Sequence, residues 1–301
     1  MIEVMDAAPV PQVESPREWI ESLLARIPPA AGLAVVEHRF GVLPLVDAFF
    51  EPQGWIEELA AGRRVGALGL FTPTPELRWG AAVEGEPAGK GLLLRGEVRI
   101  ASPAADGTVV LARTGPEHRL VWLDHSTAGV ERSGSRGGGT VCDDSPCWLA
   151  ISGTAAGADR VSRPVTPGPG GDLFRSLETY AGLWAHAAAI CAGHGVRALR
   201  RAARITGLNA SQRVAMDITE VEIETELTAT AIRLGAGGLA AATAAARILA
   251  AVAAKTGELR DLAGLDVESP LDGPTLTAFL GGPLMLENEL GCALGIPERA
   301  L

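Results

Sequence analysis

Two short motifs contain residue types that could hydrolyse a substrate or bind a metal. Asp124, His125 and Ser126 are the three residue types of a hydrolase triad. Because they are consecutive in the chain, their side chains diverge, and a turn at the end of a strand is the better interpretation. Cys142 and Cys147 have the wrong spacing for a zinc pair, and no second pair follows. We therefore predict neither a triad nor a metal site.

Two glycine-rich segments are candidates for a phosphate or dinucleotide site. Residues 134–139 lack the Lys-Ser/Thr pair that follows a phosphate loop, so a flexible hairpin tip is the preferred interpretation. Residues 235–240 resemble a dinucleotide fingerprint, but that motif works only between a parallel strand and a helix. Here the segment joins two helical stretches, which indicates a break between helices.

Two histidines lie on roughly one face of a long predicted helix. His186 and His194 are eight residues apart, which is about two helical turns. Structural histidines in a core are more common than functional ones, so the structural interpretation is preferred. None of these motifs indicates a function by itself, and the elements that position them must be considered.

The composition predicts a soluble, acidic protein with a sizeable core. A chain of 301 residues has room for one large domain or two modest ones. The net charge of −10 disfavours nucleic acid and anionic membranes as partners, since both need a basic face. Four cysteines and the lack of an apolar leader predict a cytoplasmic location. The Ala-rich run 239–254 is too short to span a bilayer.

The order of predicted elements begins with helices and continues with strands. Residues 1–62 are predicted to be helical, with a helix from Pro16 to Ile27 that is capped by Ser15. Residues 63–165 are predicted to form a β domain, because short apolar runs alternate with Gly, Pro and Asp. The candidate strands are residues 65–71, 91–100, 108–115, 119–124, 147–153 and 159–165.

Residues 166–301 are predicted to form a bundle of helices. The candidate helices are residues 173–204, 239–256 and 283–294. Residues 220–227 alternate polar and apolar side chains, which favours a strand, although Ile223 and Leu227 also fit a helical stripe. The residues alone leave that segment undecided.

The helix–β–helix order and four segments resemble the acyl-CoA dehydrogenase family. GLFTPTPELRWG, residues 69–80, stands in place of the family's T-E-P loop, and residues 91–114 are similar to its I-T-N strand pair. Residues 187–202 and 211–231 are similar to the first two helices of its C-terminal bundle, which makes the undecided segment helical. The resemblance covers roughly residues 60–301. It implies an α+β fold with a shortened N-terminal helical part, a central antiparallel β barrel or sandwich and a C-terminal helical bundle.

The resemblance implies FAD as the cofactor, with Thr72, Thr74 and Ser102 as candidate flavin-binding residues. Arg99 replaces the aromatic residue that covers the flavin in the family, and Ala101 replaces the I-T-N threonine. The family's R-x-x-F-G segment, which holds the pyrophosphate and adenine of a neighbouring subunit's FAD, is missing between the first two bundle helices. These departures leave open whether FAD is kept or lost.

The family's catalytic base is a glutamate, and this sequence has leucine at both places where that glutamate can stand. The alignment puts Leu280 and Leu183 there, and leucine cannot accept a proton. Glu178, a little over one turn before Leu183, is the candidate catalytic carboxylate if the register differs, and Glu268 and Glu287 flank Leu280. The catalytic residue therefore stays unknown.

The resemblance implies a function connected with flavin-dependent oxidation of an acyl-CoA at a CH–CH bond. The first hypothesis is a degenerate subunit without the catalytic glutamate, in a homo-oligomer or a hetero-oligomer with a full-length acyl-CoA dehydrogenase subunit. The alternative is a stand-alone non-redox enzyme or binding protein for acyl thioesters in a biosynthetic pathway. A second alternative is an FAD-dependent acyl-CoA dehydrogenase with altered flavin contacts. An acyl thioester is the expected ligand in each case.

Overall fold

A computed structural model gives the architecture of the chain. The structure describes residues 15–70, 81–100, 104–133, 147–167, 170–208, 211–235 and 237–263, together with Leu286, Leu290 and Leu294. The predicted last helix, 283–294, therefore lies almost entirely outside the described residues. All structural statements below refer to the described part of the chain.

The first helix, α1 (Pro16–Leu24), begins at the predicted capping box. The Glu18 amide donates to Ser15 Oγ at 3.3 Å, and the Ser15 amide donates to the Glu18 carboxylate at 2.8 Å. The helix ends three residues before the predicted Ile27, because the Arg26 amide bonds the Leu23 carbonyl and tightens the last turn. The capping box is confirmed, and the predicted C-terminal end was too late.

A nearly continuous helical segment follows α1. It consists of α2 (Pro29–Val36), a π-helical turn (Glu37–Val42) and α3 (Leu43–Phe49), and α4 (Gly54–Ala60) comes after it. The π turn widens the helix locally, and such turns are rare and often mark functional sites. It brings the Glu37 carboxyl group into the core.

Eight strands follow α4. They are β1 (Gly66–Gly69), β2 (Val83–Ala88), β3 (Gly91–Ile100), β4 (Gly107–Thr114), β5 (Glu117–Asp124), β6 (Val130–Ser133), β7 (Cys147–Ala156) and β8 (Val161–Val165). The sequence did not predict β2, whose Glu84, Glu86 and Pro87 are poor strand formers. It also missed the short strand β6.

The strands form one sheet in the order β6-β7-β3-β2-β4-β5-β8, with β1 paired to β4. Most pairs are antiparallel, and β4 pairs in parallel with both β1 and β2. Alternate residues of β4 face two different cores: Val109 and Leu111 pack with the helices, while Val110 and Ala112 pack within the β section. The sheet is thus joined to the helices through one face.

Three long helices complete the described chain: α5 (Asp172–Ile205), α6 (Gln212–Arg233) and α7 (Gly238–Ala263). The undecided segment 220–227 lies inside α6, which confirms the helical alternative. Gly235 and Gly238 have positive φ angles of 108° and 59°, so the glycine-rich segment separates two helices as predicted.

Helix α7 is longer than the predicted Ala-rich run. Its Gly238–Glu258 stretch is long and apolar enough to cross a membrane by length and composition, and half of its most apolar window is buried inside the protein. The buried side includes Ala242, Ala245 and Ala246, whose small side chains allow a close approach to α5. Leu286 is fully buried in the same core.

Candidate functional site

The residues that the resemblance assigns to a flavin follow two strands in the sequence. Thr72, Thr74 and Ser102 fall outside the described residues, as does Leu280. The residues next to them, Leu70 after β1 and Ile100 at the end of β3, are buried. The structure therefore fixes the strands that lead into both segments and leaves the flavin-binding assignment untested.

Arg99 is the residue that the resemblance aligns with the family's flavin-covering aromatic residue. The β3–β7 register puts Arg99 opposite Trp148, and its guanidinium carbon lies 4.6 Å from the centre of a Trp148 ring. This distance is typical of a cation–π contact. Partial burial lowers the pKa of Arg99. The Arg99 guanidinium therefore covers an aromatic ring of its own chain.

Leu183 and Glu178 both lie on α5, and neither places a carboxylate at the expected position of the base. Leu183 is half-buried and packs against the hydrophobic core. Glu178 is exposed and lies against the start of α7: a Cβ atom on Gly238 would be 2.9 Å from Glu178 Cγ and 3.0 Å from Oε1. A carboxylate at the N-terminal end of a helix stabilises that end. This contact gives Glu178 a structural role.

The connection between α5 and α6 is short. It consists of residues 206–211, where the Thr206 hydroxyl donates to the Ala202 carbonyl at 2.9 Å and the Ser211 amide donates to the Leu208 carbonyl at 2.9 Å. The first bond lies at the C-terminal end of α5, and the second lies next to the start of α6. The sequence of this connection contains no arginine or phenylalanine that could take the place of the R-x-x-F-G segment.

An open, basic groove lies at the C-terminal end of α5. It has a volume of about 620 Å³ and is lined by Arg197, Arg200, Arg201, Arg204 and Ile205. Arg200 forms an ion pair with Glu222 of α6. Cations at this end of the helix are favoured by the negative C-terminal end of its dipole. The groove is thus a positively charged feature on a chain of negative net charge.

Sequence analysis missed a buried carboxyl group at the contact between the π turn, β1 and α5. Glu37 is fully buried, and burial raises its pKa to about 8, with smaller opposing effects of the Leu68 amide and the Tyr180 hydroxyl. Among the described residues, neither carboxyl oxygen has a hydrogen bond of ordinary geometry. Burial and the nearby carboxyl group raise the pKa of Tyr180.

The Glu37 carboxyl group is protonated near neutral pH because an unpaired buried charge is costly. In this form it can donate a hydrogen bond, and it is closed off from solvent. Its signal in the sequence is a run of polar residues, Glu37, His38 and Arg39, inside the otherwise apolar segment 31–46. Perturbed carboxyl groups also mark functional sites, and Glu37 lies in a helical turn that contacts β1, the strand after which Thr72 follows in the sequence.

The consecutive triad residues diverge as predicted. Asp124 forms ion pairs with Arg64 and with Arg160, the latter at 3.2 Å. His125 is buried, and its Nε2 lies 2.7 Å from Thr108 Oγ1. Burial lowers the pKa of His125 to about 4. The side chains of Asp124 and His125 therefore contact different residues.

His186 has a structural position as well. It is buried on α5, and its Nε2 lies 3.2 Å from Glu21 Oε1 of α1. Burial lowers the pKa of His186, and the nearby Glu21 opposes this effect. The contact joins α1 to α5. His194, two turns later, is only partly buried, and burial and Arg197 lower its pKa.

No protein-family model matches the sequence, and no curated protein matches it. Solved structures with a similar fold include FkbI for biosynthesis of the methoxymalonyl extender unit of the Fk520 polyketide (18% identity, 89% of this chain, 81% of that chain, TM-score 0.63). Another is a glutaryl-CoA dehydrogenase from Mycobacterium smegmatis in complex with FADH2 (17%, 90%, 80%, 0.62). A third is the ChsE4-ChsE5 complex from Mycobacterium tuberculosis (18%, 89%, 80%, 0.58).

These similarities agree with the order of elements described above: N-terminal helices, a central sheet and C-terminal helices. The match covers about nine-tenths of this chain in all three cases. At these identities the comparison concerns the fold. The chain has the acyl-CoA-dehydrogenase-like α+β fold that the resemblance predicted.

Proposed function

We propose that this chain is a non-catalytic subunit of a flavin-dependent acyl-CoA dehydrogenase assembly. The observation that carries the proposal is on α5, where Leu183 packs into the core at the expected place of the base and the nearby Glu178 lies against the start of α7. Proton abstraction from carbon needs a positioned carboxylate. The chain contributes packing and part of an acyl-CoA pocket, and its partner contributes the base.

The flavin contacts of the chain support the same proposal. Arg99 over Trp148 replaces the ring that would cover a flavin, and residues 206–211 replace the segment that would hold the pyrophosphate. These two departures support the absence of a flavin site of the family's kind, and we assign no chemical step in this chain to a flavin. The ChsE4-ChsE5 neighbour, a complex of two proteins, supports a hetero-oligomer, for which we propose a full-length acyl-CoA dehydrogenase subunit as the partner and the cytoplasm as the location.

The test is to purify the chain alone and measure flavin absorbance and acyl-CoA dehydrogenation with an artificial electron acceptor. We expect neither a stoichiometric flavin nor turnover. Denaturing a matched sample in acid releases any bound flavin, so that the released flavin can be measured. One bound flavin per chain with turnover would support instead an FAD-dependent dehydrogenase with altered contacts, and would refute the proposal.

A second candidate function is a non-redox enzyme or binding protein for acyl thioesters. The FkbI neighbour, whose title concerns biosynthesis of a polyketide extender unit, supports only the biosynthetic-pathway part of this alternative. It predicts a flavin-free chain that binds an acyl thioester in the absence of any partner. Calorimetric titration of the isolated chain with an acyl-CoA separates the two, because the subunit proposal predicts tight binding only in the assembled complex.

A further inference from the structure

Positive charge is concentrated near the C-terminal end of α5. The open groove of about 620 Å³ there is lined by Arg197, Arg200, Arg201, Arg204 and Ile205, all of which are exposed. We call these five residues the α5 groove. At 3.6 residues per turn the four arginines fall within about 100° of the helix circumference, and the first and last are about 10.5 Å apart along its axis. The arginines therefore form one continuous basic surface.

The described part of the protein neutralises only some of this charge. Arg200 forms an ion pair with Glu222 of α6. Arg197, Arg201 and Arg204 form no ion pair with any residue that the structure describes. The α5 groove thus keeps three guanidinium groups without a carboxylate partner among the described residues, on a chain whose net charge is −10.

The stability of the helix does not account for this arrangement. Arginines three or four positions apart repel each other, and every arginine of the α5 groove has two such neighbours. The negative end of the helix dipole favours cations only within the last turn, which includes Arg204 but not Arg197, about two turns earlier. By contrast, Arg113, which is also exposed, pairs with Glu84. A bound anion would offset the repulsion within the α5 groove.

We propose that the α5 groove binds the phosphate groups of a nucleoside diphosphate. The guanidinium fork of arginine matches phosphate oxygens with two parallel hydrogen bonds. A diphosphate carries roughly three negative charges at neutral pH, which matches the three unpaired arginines. The volume of the groove lies in the range of small-molecule sites. Ile205, which is 70% exposed, offers an apolar contact for the base.

The α5 groove is separate from the part of α5 where the resemblance places the base. Leu183 lies about 21 Å from Arg197 along the helix axis. The groove residues also precede residues 206–211, which stand in place of the R-x-x-F-G segment. Nucleotide binding to the groove therefore does not depend on the proposed function, and it is measured separately from flavin content and turnover.

An acidic segment of another protein is the competing occupant, because its carboxylates could also pair with arginine. A stable protein interface usually buries about 800 Å² on each partner, with about 20–30 residues a side. The α5 groove consists of five residues on one helix. Its size therefore favours a small ligand.

The test is calorimetric titration of the purified full chain at low salt with ADP, AMP, inorganic pyrophosphate and adenosine. We expect one ADP site per chain, binding at least about 10-fold more tightly than AMP, and no binding of adenosine. Added salt should weaken the binding of ADP. Pyrophosphate should bind about 5-fold more weakly than ADP, and Ile205→Ser should remove this difference because the apolar contact with the base is lost.

Two substitutions should change the affinity for ADP in opposite directions. Arg201→Gln should weaken binding about 10-fold, and Arg175→Gln, which removes the same charge from an exposed position near the start of α5, is the matched control. Glu222→Gln should tighten binding about 3-fold, because it frees Arg200 and removes a competing carboxylate. Glu131→Gln on β6 controls for the change in net charge. Both control variants should bind ADP as the parent chain does.

Four results would overturn the proposal. They are no binding of ADP, an unchanged affinity in Arg201→Gln, an equal loss of affinity in Arg175→Gln, and pyrophosphate that binds as tightly as ADP, which would assign the groove to an inorganic anion. A Glu-rich peptide that binds more tightly than ADP would also overturn it, because the groove would then belong to an acidic protein segment.

Discussion

Helices α5 and α6 are neighbours in the bundle and differ in an unexpected way: α5 buries polar side chains, and α6 exposes large apolar ones. Helix α5 takes polar groups into the core, with Tyr180 fully buried against Glu37 and His186 buried against Glu21. Helix α6 exposes Ile223 and Leu227. The difference shows that the polar groups of α5 find their contacts within the described residues, whereas the apolar side chains on the outer face of α6 stay exposed among them. Substitutions of buried residues on α5 should therefore lower the stability of the fold more than substitutions on the outer face of α6.

The largest expected effect is on α5. Trp184 is fully buried, so Trp184→Ala should lower the free energy of unfolding by about 3–5 kcal/mol through lost contacts and a cavity. Leu227→Ala on α6 is the matched change and should alter the stability of the monomer by less than about 0.5 kcal/mol. Chemical denaturation at low protein concentration measures both. Equal losses of unfolding free energy in the two variants would contradict this difference between α5 and α6.

The next effect concerns the pH dependence of stability. The pKa of Glu37 is about 8 in the folded protein, above its value in the unfolded chain. Its protonated form therefore favours folding below about pH 4.5, and this contribution is lost as the pH rises through 8. At neutral pH the loss is roughly 3 kcal/mol.

Glu37→Gln should accordingly be more stable than the parent chain at pH 8 and show a flatter pH profile of unfolding free energy. Tyr180→Phe is the control, since it removes the neighbouring hydroxyl group and leaves the buried carboxyl group to titrate. If Glu37→Gln keeps the slope of the parent chain, the carboxyl group is not buried as described.

A smaller effect is expected where α7 begins. Gly238 has a φ of 59°, and a Cβ atom there would be 2.9 Å from Glu178. Gly238→Ala should cost about 1–2 kcal/mol of stability through backbone strain. Gly257→Ala in the same helix has no atom in the way and should be stabilising by about 0.5–1 kcal/mol. Thermal unfolding of both variants checks the opposite signs.

The smallest effect tests the structural role of Glu178. Glu178→Gln should lower stability by about 0.3–1 kcal/mol, because the carboxylate interacts with the N-terminal end of α7, and added salt should reduce the difference. Glu224→Gln on the outer face of α6 should not lower the stability of the monomer. A loss for Glu178→Gln that is independent of salt would argue against the helix-end contact.

Local patterns predicted much of this fold. The capping box at Ser15, strand β3 and the break at Gly235 each depend on nearby residues, and the structure confirms them. Strand β2 depends instead on β3 and β4, which pair with it on either side and compensate for its Glu and Pro residues.

The candidate site was harder to predict. Periodicity does not show that a π turn moves Glu37 into the core, or that Glu178 meets a helix that begins sixty residues later. Both contacts join distant parts of the chain, so they follow from packing. The flavin-binding assignment of Thr72, Thr74 and Ser102 remains a prediction, as does the replacement of the base by Leu280.

The central claim is that this chain supplies no flavin site and no base of its own. The most direct measurement is the number of flavins in a complex of this chain with a full-length acyl-CoA dehydrogenase from the same genome, purified after co-expression. The account predicts one flavin for each pair of unlike chains and loss of activity when the base of the partner is removed. Two flavins for each pair, or activity that survives loss of the partner's base, would contradict it.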